Sequence, residues 1–202
     1  MPIINIREQK NLLRAKHKKI RTACSEEIRN SLDKVLFEKF IELKEYKECK
    51  ILFAFVSMPI EINTYPILEK AIADGKILAL PKCRQKEPVM DFYSVASLDD
   101  LKEGKYSIME PDTNLCQIIT DYSGGLCLVP GLSFDLYGYR LGFGKGYYDR
   151  FLNLFGGATV GLCYSRCVEQ KLPHGIYDKA VDILITEKFT NDTRNVFEKG
   201  MV

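Results

Sequence analysis

The chain of 202 residues is 46% hydrophobic and 28% charged, which suits one soluble α/β domain with a sizeable core. No apolar run reaches the length of a bilayer span, and the opening MPIINIREQK lacks an h-region with a cleavage site, so neither a membrane nor a secreted protein is expected. The net charge of +2 conceals a basic opening, in which Arg7, Lys10, Arg14, Lys16, Lys18, Lys19 and Arg21 stand against Glu8 alone. Residues 7–22 are rich in helix formers and free of glycine and proline, so they read as a helix. Lys10, Arg14 and Lys18 recur every fourth residue and stack on one face. That face either meets an anion or is merely solvated.

Ser25 with Glu26 and Glu27 marks the start of a second helix, whose apolar stripe runs from Ile28 to Leu43. ILFAFV (51–56) is a continuous apolar run, the pattern of a strand buried on both faces. A loop, a cap at Asn63 or Thr64, a short helix and a stop at Gly75 come next. ILALP (77–81) is a second buried strand, and MDFYSV (90–95) alternates as an edge or antiparallel strand does. KEGKYSIMEPDTN (102–114) reads as loop. LCLVPG (126–131), TVGLCY (159–164) and VDILIT (181–186) complete the strands, with a helix from 147 to about 155 between the first two. Strands alternating with helices predict a single α/β domain over 1–202, its largely parallel sheet flanked by helices and residues 7–46 packed on the body.

Seven cysteines, several inside apolar runs and without a CxxC pair, fit reduced thiols of a cytoplasmic protein. Two histidines, His17 and His174, offer no zinc-ligand spacing. No aromatic residue interleaves the basic helix as nucleic-acid stacking requires, so neither a nucleic acid nor a membrane is an expected partner.

The chemistry concentrates in YGYRLGFGKGYYDRF (137–151), where glycines 138, 142, 144 and 146 surround Arg140 and Lys145. Neither the P-loop nor the dinucleotide fingerprint fits its spacing. The parts nevertheless suit a phosphate: the loop follows a buried strand, its glycines allow close backbone approach, and Lys145 and Arg140 supply charge. Asp149 adds an oxygen ligand for a magnesium ion. The alternative is a glycine-rich lid that holds no phosphate.

The longer segment VPGLSFDLYGYRLGFGKGYYDRFL (129–152) strongly resembles the signature of the 5-formyltetrahydrofolate cyclo-ligase family. KNLLR (10–14), SMPIEINT (57–64), LPK (80–82), MEPD (109–112) and YDKAVDILIT (177–186) fit the same family in the same order along the chain. The resemblance implies conversion of 5-formyltetrahydrofolate to 5,10-methenyltetrahydrofolate with ATP and Mg²⁺, through a phosphorylated formyl oxygen and release of ADP and phosphate. It also implies a monomer with a fold similar to sugar-phosphate isomerases and CoA transferases. A paralogue of the same fold acting on another substrate is the alternative.

Site roles follow from the resemblance position by position. Lys10, Arg14 and the run Arg140, Leu141, Gly142, Phe143, Gly144, Lys145, Gly146, Tyr147 and Tyr148 match ATP contacts. Lys145, Arg140 and Tyr147 are the candidate catalytic groups. Val56, Glu61, Phe143, Gly144, Lys145, Gly146 and Tyr147 match folate positions, with Glu61 to accept pterin N–H groups. Asp149 and Asp178 match metal-associated positions, and Asp182 is either a further ligand or a cap. Phe143 packs on the ring or is core beneath the loop. Tyr148 bonds the nucleotide or braces the helix. Glu110 reads as a loop anchor before a pocket acid.

Overall fold

A computed structural model describes residues 5–84, 87–104 and 108–194. Helices α1 (Ile6–Thr22), α2 (Glu26–Glu42) and α3 (Lys44–Glu48) open the chain. Asn5 caps α1 by accepting from Arg7 N at 3.0 Å, and Ser25 caps α2 as its sequence predicts. Strand β1 (Ile51–Phe53), helix α4 (Tyr65–Ala73) and strand β2 (Ile77–Cys83) form the first crossover unit. Strands β3 (Met90–Val95), β4 (Leu101–Glu103), β5 (Met109–Pro111), β6 (Gln117–Ile119) and β7 (Leu126–Val129) follow. Beyond them lie β8 (Ser133–Asp135), β9 (Arg140–Leu141), α5 (Tyr147–Leu152), β10 (Ala158–Leu162), β11 (Val168–Glu169), β12 (Ile183–Ile185) and β13 (Thr190–Asp192).

The main sheet has eight strands in the order β13-β12-β10-β7-β1-β2-β3-β6. Its five central strands, β12 to β2, are parallel, and the flanking β13, β3 and β6 pair antiparallel. The α/β expectation with a largely parallel sheet therefore holds. The central strands are largely apolar because residues on both faces are covered: all of β7 and β12 is buried. β3 is antiparallel, as its alternation suggested, but β6 takes the edge.

Three differences from the sequence expectation concern short elements. The predicted loop 102–114 contains most of a two-stranded ribbon, β4 with β5, although residues 105–107 lie outside the described residues. The glycine stretch begins as a strand: β9 pairs antiparallel with β8, and β11 adds to β8 on the other side. Asp135 makes that hairpin, since its Oδ1 accepts from Tyr137 N at 3.0 Å and Tyr139 N at 2.9 Å. Gly138, at φ +86°, turns the chain where a Cβ would come within 2.5 Å of Val181 O. Finally, α5 stops at Leu152, short of the predicted 155, and Gly157 lies just before β10.

None of the seven cysteines forms a disulfide, and Cys116, Cys127, Cys163 and Cys167 are buried. Among the described residues no helix is long and apolar enough to cross a membrane.

Candidate active site

The carboxyl ends of parallel strands are where open α/β sheets leave a crevice. Here β1 runs out into Phe55 and Val56, and β7 into Pro130, on the wall of a cavity of about 580 Å³. Helix α1, the 142–149 segment and the loop carrying Asp178 close over it. Every residue of the predicted ATP, folate and metal sets lines this one cavity: Lys10 and Arg14, Val56 and Glu61, the run 140–149, and Asp178.

One half is charged. Arg14, one turn after Lys10 on α1, donates Nε–H to Gly142 O at 2.8 Å and is steadied by Asn11 Oδ1 at 2.7 Å. Gly144 takes φ +92°, and a Cβ there would stand 3.0 Å from Arg14 Cζ, so only glycine lets the loop lie against the guanidinium. Lys10 Nζ bonds both oxygens of Asp178, at 2.8 and 2.7 Å. Burial works against ionisation of Asp178, but the Gly175 N–H and Lys10 outweigh it and hold the carboxyl below its ordinary range. Arg140, buried, donates to Asp149 Oδ1 at 2.7 Å, and its guanidinium stands 5.8 Å from the centre of the Tyr148 ring. Lys145 is exposed at the mouth, with no carboxylate near it among the described residues.

The other half is apolar around two buried acids, Glu61 and Glu110. Glu61 is 6% exposed, and its Oε2 accepts from Met58 N at 2.9 Å. Burial pushes its carboxyl up to about 7, against the pull of the Met58 N–H and the Arg21 charge. Phe143 is half-buried, with the Lys18 ammonium 5.8 Å from its ring centre, so it is not a core residue beneath the loop.

The sequence profile of the 5-formyltetrahydrofolate cyclo-ligase family matches residues 6–187. The chain belongs to that family. It is thereby an enzyme, a ligase. A solved structure of Aquifex aeolicus 5,10-methenyltetrahydrofolate synthetase superposes with a TM-score of 0.79 at 35% identity, over 92% of this chain and 93% of that one. A probable 5-formyltetrahydrofolate cyclo-ligase of Caenorhabditis elegans is 35% identical over 73% of this chain and 74% of its own length. Its counterpart in Schizosaccharomyces pombe is 29% identical over 88% and 95% respectively.

Several lining residues escaped the family motifs or were not singled out within them. Phe55, Met58, Pro81, Cys83, Met90, Ile108, Met109 and Pro130 supply the apolar wall. Their common signal is position, since most follow or end a buried strand. Glu110 lines the cavity and leans on Gly104, where a Cβ would meet its Oε2 at 2.4 Å. Part of β5 itself, it is both anchored in the β4–β5 ribbon and on the cavity wall. Asp182 lies elsewhere: its Oδ2 accepts Thr159 N and Oγ1, both at 2.8 Å, and staples the starts of β10 and β12.

The described residues contain no cluster of three or more metal-ligating side chains. Asp149 and Asp178 nevertheless fit magnesium, which takes one or two carboxylates and completes its shell with phosphates and water. Two buried polar atoms at the same place have no partner among the described residues, Arg140 Nε and the Tyr148 hydroxyl. Orphaned polar groups on a cavity wall are what a polar ligand would satisfy.

Proposed function

We propose that the protein closes 5-formyltetrahydrofolate to 5,10-methenyltetrahydrofolate while converting ATP to ADP and phosphate. The observation that supports this most directly is the division of one cavity into a cation-rich half and an apolar half that holds the buried acid Glu61. A polyphosphate and a flat heterocycle need those two environments side by side.

Lys10 and Arg14 hold the polyphosphate, and their spacing of one helical turn aims both charges at one chain of phosphates. Asp149 and Asp178 would hold a magnesium ion, which would supply charge to neutralise the phosphates. Lys10 therefore exchanges Asp178 for phosphate as nucleotide binds. Glu61 accepts N–H groups of the pterin, while Phe143 and Tyr147 pack against its ring. The formyl oxygen so placed attacks the γ-phosphorus and ADP leaves. N10 then attacks the formyl carbon, loses its proton, and the phosphorylated oxygen departs as phosphate. An amide-like oxygen leaves poorly until it is phosphorylated, which is why ATP enters the reaction. No step needs a covalent protein nucleophile; alignment and charge stabilisation carry the rate. Arg140 and Lys145 stand where charge grows on the transferring group.

Purified protein mixed with 5-formyltetrahydrofolate, Mg²⁺ and ATP should develop methenyltetrahydrofolate absorbance, and should not do so without ATP. Folded protein that binds ATP yet forms no product would refute the folate reading in favour of another phosphoryl acceptor.

A further inference from the structure

Helix α1 carries a third cation on its inner face. Arg21, in the last turn, is 2% exposed and lies outside the cavity lining. Its guanidinium donates Nε–H to Leu132 O at 3.1 Å, and its terminal nitrogens donate to Gly131 O at 2.8 Å and Ile60 O at 3.2 Å. One face of the fork covers the Tyr164 ring at 5.3 Å from the centroid. All three oxygen acceptors are main-chain carbonyls, so this is a buried charge without a hydrogen-bonded carboxylate of its own, a costly arrangement that calls for a reason.

The carbonyls are informative. Ile60 precedes Glu61, and Gly131 and Leu132 follow Pro130 on the cavity wall. At its far end the Glu61 loop is held a second time, because Asn63 N donates to Asp33 Oδ2 at 3.2 Å. The other Asp33 oxygen accepts the Tyr164 hydroxyl at 2.6 Å, and it is the Tyr164 ring on which Arg21 rests. One connected network thus clamps both ends of the loop 60–63 and ties it to the segment after β7. Glu61 is the acid between the clamps. Arg21 is also the cation whose field favours the ionised form of Glu61, and the Glu61 charge in turn disfavours ionisation of Tyr148 on α5.

We propose that Arg21 is a positioning residue for the pterin: it fixes the 60–63 loop against Gly131 and Leu132, and so presents the Glu61 carboxylate to a ligand rich in N–H donors. This rests on reading Glu61 as the folate-binding acid. Lys10 and Arg14 lie toward the other end of the same helix, so α1 serves both halves of the cavity from one rigid element.

The test is a double-mutant cycle on the full chain, reading dissociation constants for 5-formyltetrahydrofolate and for ATP by titration, so that turnover is not required. Arg21→Met should weaken folate binding by about tenfold and change ATP binding by less than about twofold. Arg21→Lys, which keeps the charge and loses the fork, should recover part of the loss. In a Glu61→Gln background the Arg21→Met change should add less than about twofold, because the acid it serves is gone. Equal weakening of both ligands, unchanged folate binding, or full additivity with Glu61→Gln would each overturn the proposal. Should Arg21→Met fail to fold, Arg21→Lys enters the same cycle with the same reading. Glu61→Gln alone with unaltered folate binding would overturn the assignment of Glu61, and that result is separate from the Arg21 arm.

Discussion

At the scale of single residues, the site turns on two groups that the free protein leaves in unusual states. Lys145 is exposed and unpaired by carboxylates among the described residues, so its charge remains available to a phosphoryl group. Loss of a preorganised charge at a transition state costs about 3 kcal/mol. Lys145→Ala should therefore lower kcat/KM about a hundredfold with thermal stability unchanged, and steady-state kinetics beside a melting curve will check it. Unchanged kinetics would remove Lys145 from the mechanism. Glu61 carries the opposite signature, a carboxyl whose burial disfavours its charged form in the fold. Its folded value of about 7 stands above its ordinary 4.5, so the folded state keeps a proton there that the unfolded chain has already released. Stability falls as pH rises through that window, and the full deficit is present above pH 7. Glu61→Gln, which retains an oxygen for Met58 N, should raise the melting temperature at pH 8 by a few degrees, for a gain of about 1–2 kcal/mol. At pH 4 the difference should vanish, while at pH 8 folate binding is weakened but still measurable by titration. An equal melting temperature at pH 8 would show that burial does not perturb this acid.

At the scale of elements, the buried parallel strands were legible because double burial writes them as unbroken apolar runs: ILFAFV, ILALP and LCLVPG each lead into β1, β2 and β7. Helix α1 was legible from composition, although its Asn5 cap was not. The β8–β9 hairpin was not, since strands of three and two residues are too short for any period to register, and the turn signals Asp135 and Gly138 were absorbed into the glycine motif. The site was legible through its long motif, but its pairing was not. Lys10 and Asp178 meet across 168 positions of sequence, a distance over which no local pattern operates. That pairing docks the N-terminal half of α1 over the cavity. Lys10→Ala removes both the proposed phosphate contact and the dock, and should raise the KM for ATP about tenfold with much less effect on the KM for folate. An unaltered KM for ATP would return the basic face of α1 to the solvated role that its charge alone also allows.

At the scale of the whole molecule, the glycine segment is held at both ends. At one end β9 is bonded into the small sheet with β8 and β11. At the other, α5 drops Phe151 into the core, where its ring centroid lies 4.4 Å from Phe92, 5.3 Å from Tyr122 and 5.9 Å from Phe53. Phe53 belongs to β1 and Phe92 to β3, so a six-residue helix is moored to two strands of the main sheet. The same helix presents Tyr147, Tyr148 and Asp149 to the cavity. Aromatic truncation in such a cluster costs about 3–5 kcal/mol, since the lost ring leaves a void that its neighbours fill only in part. Phe151→Ala should therefore lower the denaturant midpoint by that equivalent without changing the slope of the transition. It should also raise the KM of both substrates, because Arg140 loses the fixed position of Asp149 and Tyr147 loses its seat beside the ring. Urea titration and steady-state kinetics on one preparation separate the two effects. A destabilised protein with unaltered KM values would mean that β9 alone holds the loop, and that α5 contributes to the core but not to the site.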